Sequence, residues 1–404
     1  MDGFRTVGHE AAVGAVRAML GSRVPHAVLL AGPASVGKQS LALDLAAGLL
    51  CAGATGGGRP CRSCRACRMV EHDNHPDLHR LEPEGPGGQV GIGGKDGKRG
   101  VRDLVTELAL LPVEGVARVA IIRDAHRMNE DAQSALLKTL EEPPAGTTLI
   151  LVADDEERLL PTVRSRCARI RLGTLGARDI EALLEARSLA DAPTAARLAR
   201  LSGGRAGLAV AYATAPQAET IRNELSRTLL DLLQAGRATR LLAARDLVAR
   251  SASLAGLLAP APVSAAASPT VRGRGRAARG ATPAPPGEAN VPEGGAVPST
   301  AESGDEPVAK ASAAERRRAL ALLLDAWRDV ARDLALAQLG ATGDVRDVGL
   351  LEDLQTAARS LPAGAAAGAL ARLVRASELV DSNVSPELVL DVLLVRWPRG
   401  RDAR

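Results

Sequence analysis

An apolar run at residues 28–30 leads into Gly32-Pro-Ala-Ser-Val-Gly37-Lys38, and a helical pattern follows over residues 39–50. Strand, glycine-rich turn and helix in that order make a phosphate loop. The glycines let backbone N–H groups curl round phosphate oxygens, and the lysine adds a point charge. The same helix runs straight into a second constraint. Cys51, Cys61, Cys64 and Cys67 follow with the spacing C-x9-C-x2-C-x2-C. Two-residue gaps let neighbouring thiolates point at one centre, so this set can close a tetrahedral site round one structural zinc ion. The spacing also accommodates an iron–sulfur cluster, for which the chain offers no evident redox purpose. His72, His75 and His79 lie nearby and read as ordinary turn and strand residues, because four thiols already complete a site.

Around this unit the first 173 residues alternate short apolar runs with helical stretches. Residues 28–30, 78–81, 119–122, 149–152 and 168–172 read as strands, and residues 39–50 and 130–142 as helices. That alternation predicts an α/β core with a parallel sheet covered by helices. Pro143-Pro144 stops the second helix. Residues 83–98 are Gly-rich and read as a loop insertion.

The remainder is Ala/Leu/Arg-rich and helical in period. A chain of 404 residues holds roughly two to four domains. The partition predicted is a core over 1–173 with the cysteine module at 51–67, a helical lid over 174–215, and an all-α region over 216–255 and 313–404. Residues 256–312 are rich in Pro, Ala, Gly and Ser, without period, and read as a disordered linker. Its Arg272, Arg274, Arg276 and Arg279 read as a solubilising cluster that could also touch DNA phosphates.

Composition excludes several function classes. The aromatic residues are Phe4, Tyr212, Trp327 and Trp397. This is too few for a platform that stacks single-stranded bases, so the core must be aliphatic. The net charge of +4 permits nucleic-acid contact without demanding it. No signal peptide and no bilayer-spanning run is evident, and four of five cysteines are clustered, which together predict a cytoplasmic protein with no membrane partner. The fifth cysteine, Cys167, stands alone.

The phosphate loop departs from a working ATPase in two places. After Lys38 a magnesium-holding Ser or Thr is required, and the residue is Gln39. The strand at 119–122 should end in an acidic pair, and it ends in Arg123-Asp124. A guanidinium there would repel magnesium. Magnesium-dependent hydrolysis is therefore not expected, and whether the loop still holds ATP is left open. A last motif, Ser165-Arg166-Cys167, precedes the strand at 168. Arginine at an edge can stabilise charge on a phosphoryl group of a neighbouring subunit, though alone it reads as a surface charge.

These motifs together resemble the bacterial clamp loader, the AAA+ assembly that opens the sliding clamp of DNA polymerase III. The resemblance is carried by Val7-Gly8-His9-Glu10, Pro25-His26-Ala27, the loop Gly32–Lys38, the four cysteines, His75-Pro76-Asp77, Asp131-Ala-Gln-Ser-Ala-Leu-Leu-Lys-Thr-Leu-Glu-Glu-Pro-Pro144 and Ser165-Arg166-Cys167. It covers residues 5–173 strongly and weakens towards Asn383-Val384-Ser385-Pro386. The chain is similar to the delta-prime type of subunit more than to the gamma/tau motor, whose Gly-Lys-Thr loop and Asp-Glu pair it lacks. The resemblance implies a P-loop NTPase-like AAA+ core, a zinc module, a lid and a C-terminal collar. It implies gamma/tau and delta subunits as partners, with the sliding clamp and primed DNA met through the assembly. It gives Arg166, flanked by Ser165 and Cys167, the role of an arginine finger in trans. Arg205 falls where motor subunits carry a second nucleotide-sensing arginine, and reads equally as a surface residue at a helix start. The alternatives are a gamma/tau-like ATPase motor, which an intact loop would have favoured, and a free-standing zinc-bearing DNA-binding protein, which would need a basic or aromatic surface.

Overall fold

The computed structural model describes residues 3–83, 88–93, 99–115, 117–258, 312–382 and 384–401. Residues 259–311, with the four arginines of the expected linker, lie outside the described residues. So do 84–87 and 94–98 of the Gly-rich insertion, and Asn383.

Five strands form one parallel sheet: β1 Ala27–Ala31, β2 Leu78–Leu81, β3 Arg118–Ile122, β4 Thr147–Ala153 and β5 Ala168–Arg171. Their order is β2-β3-β4-β1-β5, with Val28 paired to Ile150 on one side and Ala168 on the other. Every residue of β1, β3 and β4 is buried. That is why these strands read as unbroken apolar runs: both faces of the sheet are covered. Alternation sends Val28, Leu30, Val119, Ile121 and Ile150 to one face, and Leu29, Ala120, Ile122, Leu149 and Leu151 to the other. Helices α1 (Glu10–Gly21), α2 (Lys38–Leu50) and α3 (Arg65–Glu71) pack on the first face. Helices α4 (Val101–Leu108), α5 (Glu130–Glu141) and α6 (Pro161–Arg164) pack on the second. Each buried Leu, Ile or Val contributes about 1.5–3 kcal/mol, and truncating one such as Leu29 to Ala costs about 2–5 kcal/mol.

The rest is helical: α7 (Ala177–Ala186), α8 (Ala192–Ser202), α9 (Ala206–Thr214), α10 (Pro216–Asp231), α11 (Arg237–Leu257), α12 (Ala313–Gln338), α13 (Leu351–Ser360), α14 (Ala365–Asp381) and α15 (Pro386–Val395). One apolar cluster runs through them, from Ile180 to Trp397. Tyr212 of α9 and Leu225 of α10 belong to it on either side of residue 215, where a lid was expected to give way to a collar. Two of the few aromatic residues anchor this cluster. The Trp327 and Trp397 rings lie 6.0 Å apart, and the Trp327 indole N–H donates to Leu225 O at 3.1 Å. Buried Arg240 donates to the carbonyls of Trp397 (2.5 Å) and Pro398 (2.9 Å), tying the last residues to α11. Among the described residues no helix is long and apolar enough to cross a membrane.

Candidate functional site

In an open parallel sheet, ligands meet the carboxyl ends of the strands. The phosphate loop follows that end of β1. Gly32 adopts φ +143°, and a Cβ there would fall 1.9 Å from Leu172 O, so only glycine lets the chain turn beneath β5. Lys38 opens α2 with its side chain folded back, only 4% exposed. Its ammonium donates to Gly32 O (2.7 Å) and Pro33 O (2.5 Å), and meets Asp154 Oδ1 at 2.8 Å just past β4. Beside it, Gln39 leaves its buried Oε1 without a hydrogen-bond partner among the described residues. Asp124, His126 and Asp154 gather behind the lysine, with their ligand atoms within 4.8 Å of one another. The Asp154 N–H donates to His126 Nδ1 at 3.2 Å, and burial holds that imidazole below its ordinary range. Arg123, expected to face the magnesium position, instead turns to Glu82 beyond β2, at 2.7 Å.

The loop is also gripped from outside. His9 Nε2 donates to Val36 O at 2.8 Å. The Gly207 N–H of α9 donates to Ser35 O at 2.7 Å, and a Cβ at Gly207 would come within 2.8 Å of that oxygen. Just before α9, Arg205 is spent on α12, reaching Asp325 at 3.2 Å and Asp329 at 2.9 Å. A cavity of about 350 Å³ lies between Pro33 and Ala34 of the loop and these three residues.

The four cysteines meet where α2 ends and α3 begins. Their sulfurs lie within 4.8 Å of one another, close to the roughly 3.8 Å separation that a tetrahedral site with zinc–sulfur bonds of about 2.3 Å requires. Cys51 and Cys67 are buried, and Cys61 and Cys64 are partly so. The Cys67 N–H donates to Cys64 Sγ at 3.4 Å. The Ser63 hydroxyl, followed by the backbone N–H groups of Cys64 and Ser63, draws the Cys61 thiol down to about 6. Burial pushes Cys67 up. Gly53 closes the cradle, since a Cβ there would fall 2.8 Å from Cys61 Sγ. The donor set, spacing and cradle fit a four-thiolate metal. His72, His75 and His79 stay out of it. His72 bonds Arg68 O, His75 accepts from the Asp77 N–H, and His79 pairs with Glu107.

Ser165-Arg166-Cys167 joins α6 to β5. Arg166 is 35% exposed and donates to Thr162 O at 2.9 Å and to Glu141 at 2.6 Å. Ser165 caps back to Thr162 O. Cys167 turns inward to Val163 O, and burial raises its thiol to about 11, so it packs rather than reacts. Register pairs Val28 with Ala168 and Ala31 with Arg171. Arg166 therefore lies beyond the amino end of β1 and the phosphate loop beyond its carboxyl end. About five residues at about 3.3 Å each put roughly 15 Å of strand between them.

The family model described as DNA polymerase III, delta subunit, matches residues 10–176. The delta-prime subunit of DNA polymerase III from Pseudomonas aeruginosa is 40% identical over 201 residues, 47% of this chain and 57% of that one. The matched span thus covers the sheet, the cysteines and the Ser-Arg-Cys segment. Residues 10–176 are thus similar to clamp-loader subunits. The tau subunit from Escherichia coli is 33% identical over 164 residues, 40% of this chain and 24% of that one. The chain thus spans little more than half of the first relative and a quarter of the second. A solved gamma-subunit-related protein from Thermotoga maritima aligns over 97% of this chain and 99% of its own, at 15% identity and a TM-score of 0.41.

Several residues that hold these segments together are not singled out by the sequence reading. Asp44, fully buried, accepts from the backbone of Arg5 and Thr6 and from the Thr6 hydroxyl, and pairs with Arg62 between Cys61 and Cys64. The signal was available, since Asp44 is the only charged residue in 39–50. Gln133 carries the family run onto Arg166's support. Its amide donates to Met128 O and Arg158 O and accepts from Leu160 N, fixing the turn that starts α6. Asp154 could have been suspected from its place at the carboxyl end of a strand.

Proposed function

We propose that this chain is a non-motor subunit of a clamp loader that completes the ATP site of a neighbouring motor subunit with Arg166. The observation that carries the reading is the placement of Arg166, half-exposed at the amino end of the sheet's edge strand and far from the chain's own phosphate loop. Among the described residues its acidic partner is Glu141, a pairing that an incoming phosphate could outcompete, because exposed ion pairs are weak. A finger of this kind accelerates phosphoryl transfer by roughly 10³–10⁵.

Cys51, Cys61, Cys64 and Cys67 would hold one structural zinc. With no open ligand position, the metal would fasten the loop after α2 and carry no chemistry. The core (1–173), lid (174–215) and helical collar (from 216) would together present Arg166 at a fixed height in the assembly. Partners in this reading are gamma/tau motor and delta subunits, and through them the sliding clamp and primed DNA. The motor alternative is disfavoured by Gln39, whose amide stands where a magnesium-binding hydroxyl is needed.

The test is reconstitution. The isolated chain should show no ATP hydrolysis, and adding it to purified motor and delta subunits should raise their DNA-stimulated turnover. Hydrolysis by the isolated chain that is lost in Lys38→Ala would instead identify a motor.

A further inference from the structure

We infer that Asp154 is an internal substitute for phosphate, and that it weakens nucleotide binding by this loop. The inference rests on the reading of a non-motor subunit and adds the residue responsible. An ammonium has three N–H donors. Those of Lys38 meet three acceptors, Gly32 O, Pro33 O and Asp154 Oδ1, all within 2.8 Å, and the side chain is almost fully buried. No donor remains for an incoming phosphate oxygen.

The charge balance points the same way. Asp124 and Asp154 lie together, with Asp154 paired to the ammonium, so a phosphate would bring further negative charge to a site that already holds two carboxylates. In a working site a magnesium ion offsets that charge. Here the adjoining position is Gln39, whose buried Oε1 finds no partner among the described residues. Nor can Asp154 drift away easily, because its N–H is fixed on His126 Nδ1.

In the lid, Arg205 is committed to Asp325 and Asp329. The Gly207 N–H is committed to the loop carbonyl of Ser35. The loop is thus gripped on both sides, and the Lys38–Asp154 pair is the contact that a phosphate must displace.

The test uses the full chain, with calorimetric titration by ADP and by inorganic pyrophosphate, each with and without magnesium. Asp154→Asn removes the charge and keeps the shape. Asp154→Ser, at an exposed loop position, repeats the test with a shorter side chain. Freeing one charge-assisted bond on Lys38 should tighten binding of both probes by about ten- to a hundredfold over wild type. Lys38→Ala added to Asp154→Asn should abolish the gain. Equal binding by wild type and both Asp154 variants would overturn the inference, as would a gain that survives Lys38→Ala. Neither result touches the Arg166 reading, which concerns the neighbour's site and fails only in reconstitution.

Discussion

Asp44 offers the sharpest test of how the cysteine module is attached to the sheet. The side chain is fully buried in α2. It accepts from Arg5 N and Thr6 N, from the Thr6 hydroxyl at 2.6 Å, and from the Arg62 guanidinium. Changing it to Ala leaves two backbone N–H groups and a hydroxyl without their acceptor, and leaves the Arg62 guanidinium with Gly3 O and Glu71 alone. Removing one partner of a buried ion pair costs about 3–5 kcal/mol. Arg62 keeps some access to water, with its side chain 16% exposed, which places the expected loss near the low end, about 3 kcal/mol. At a urea slope of about 3 kcal/mol/M this lowers the midpoint of the core's unfolding by about 1 M. Asp44→Asn keeps one acceptor and should lose less. Arg62 sits in the turn between Cys61 and Cys64 with φ +56°, so Asp44→Ala should also weaken metal retention in a chelator competition. A double-mutant cycle with Arg62→Ala should show coupling of about 1 kcal/mol or more. A midpoint within about 0.2 M of wild type, with metal held equally well, would refute the claim that Asp44 is the module's anchor.

Two further outcomes follow from the same geometry. Cys64→Ser should reduce bound zinc from one per chain and lower the thermal midpoint, checked by elemental analysis and calorimetry; full stability in metal-free protein would contradict a structural role. Burial holds His75 below its ordinary range, and its Nδ1 accepts from Asp77 N. The unfolded chain therefore binds the extra proton first, and this contribution to stability is lost as pH falls below about 6.5 towards the folded value. His75→Asn should flatten the fall of the urea midpoint between about pH 7 and pH 5; an unchanged slope would show that His75 is not buried neutral.

The sheet was legible because strands covered on both faces leave uninterrupted apolar runs such as those at 28–30 and 119–122. A helix end was legible where local chemistry is decisive: Pro143-Pro144 closes α5 at Glu141. The cysteine set was legible because its spacing carries the geometry. Long-range polar partnerships were not. Nothing local ties Asp44 to Arg62, Gln133 to Leu160, or Lys38 to Asp154, since folding brings them together across 18, 27 and 116 positions. The same limit explains Arg123. Its neighbours in sequence suggest that it faces the phosphate loop, whereas pairing of β2 with β3 supplies Glu82 as its partner. The shared core of α7 to α15 was hidden for a similar reason. Ala/Leu periodicity marks a buried face without saying which helix covers it.

The central claim is that Arg166 acts in trans, and one substitution tests it most directly. An Arg166→Ala chain is assembled with wild-type motor and delta subunits, and the intact complex is verified by size before assay. Assembly should survive, because the change removes a half-exposed side chain bonded to Thr162 O and Glu141 and no core contact. Loss of a single finger can remove at most the turnover of one site, so bulk hydrolysis should fall by less than the roughly 10³–10⁵ that a finger contributes at its own site. Arg166→Lys keeps the charge without the planar fork and should rescue little. DNA-stimulated ATPase and clamp loading that both fall in the intact complex are the predicted result. Unchanged ATPase and loading in a correctly assembled complex would contradict the account.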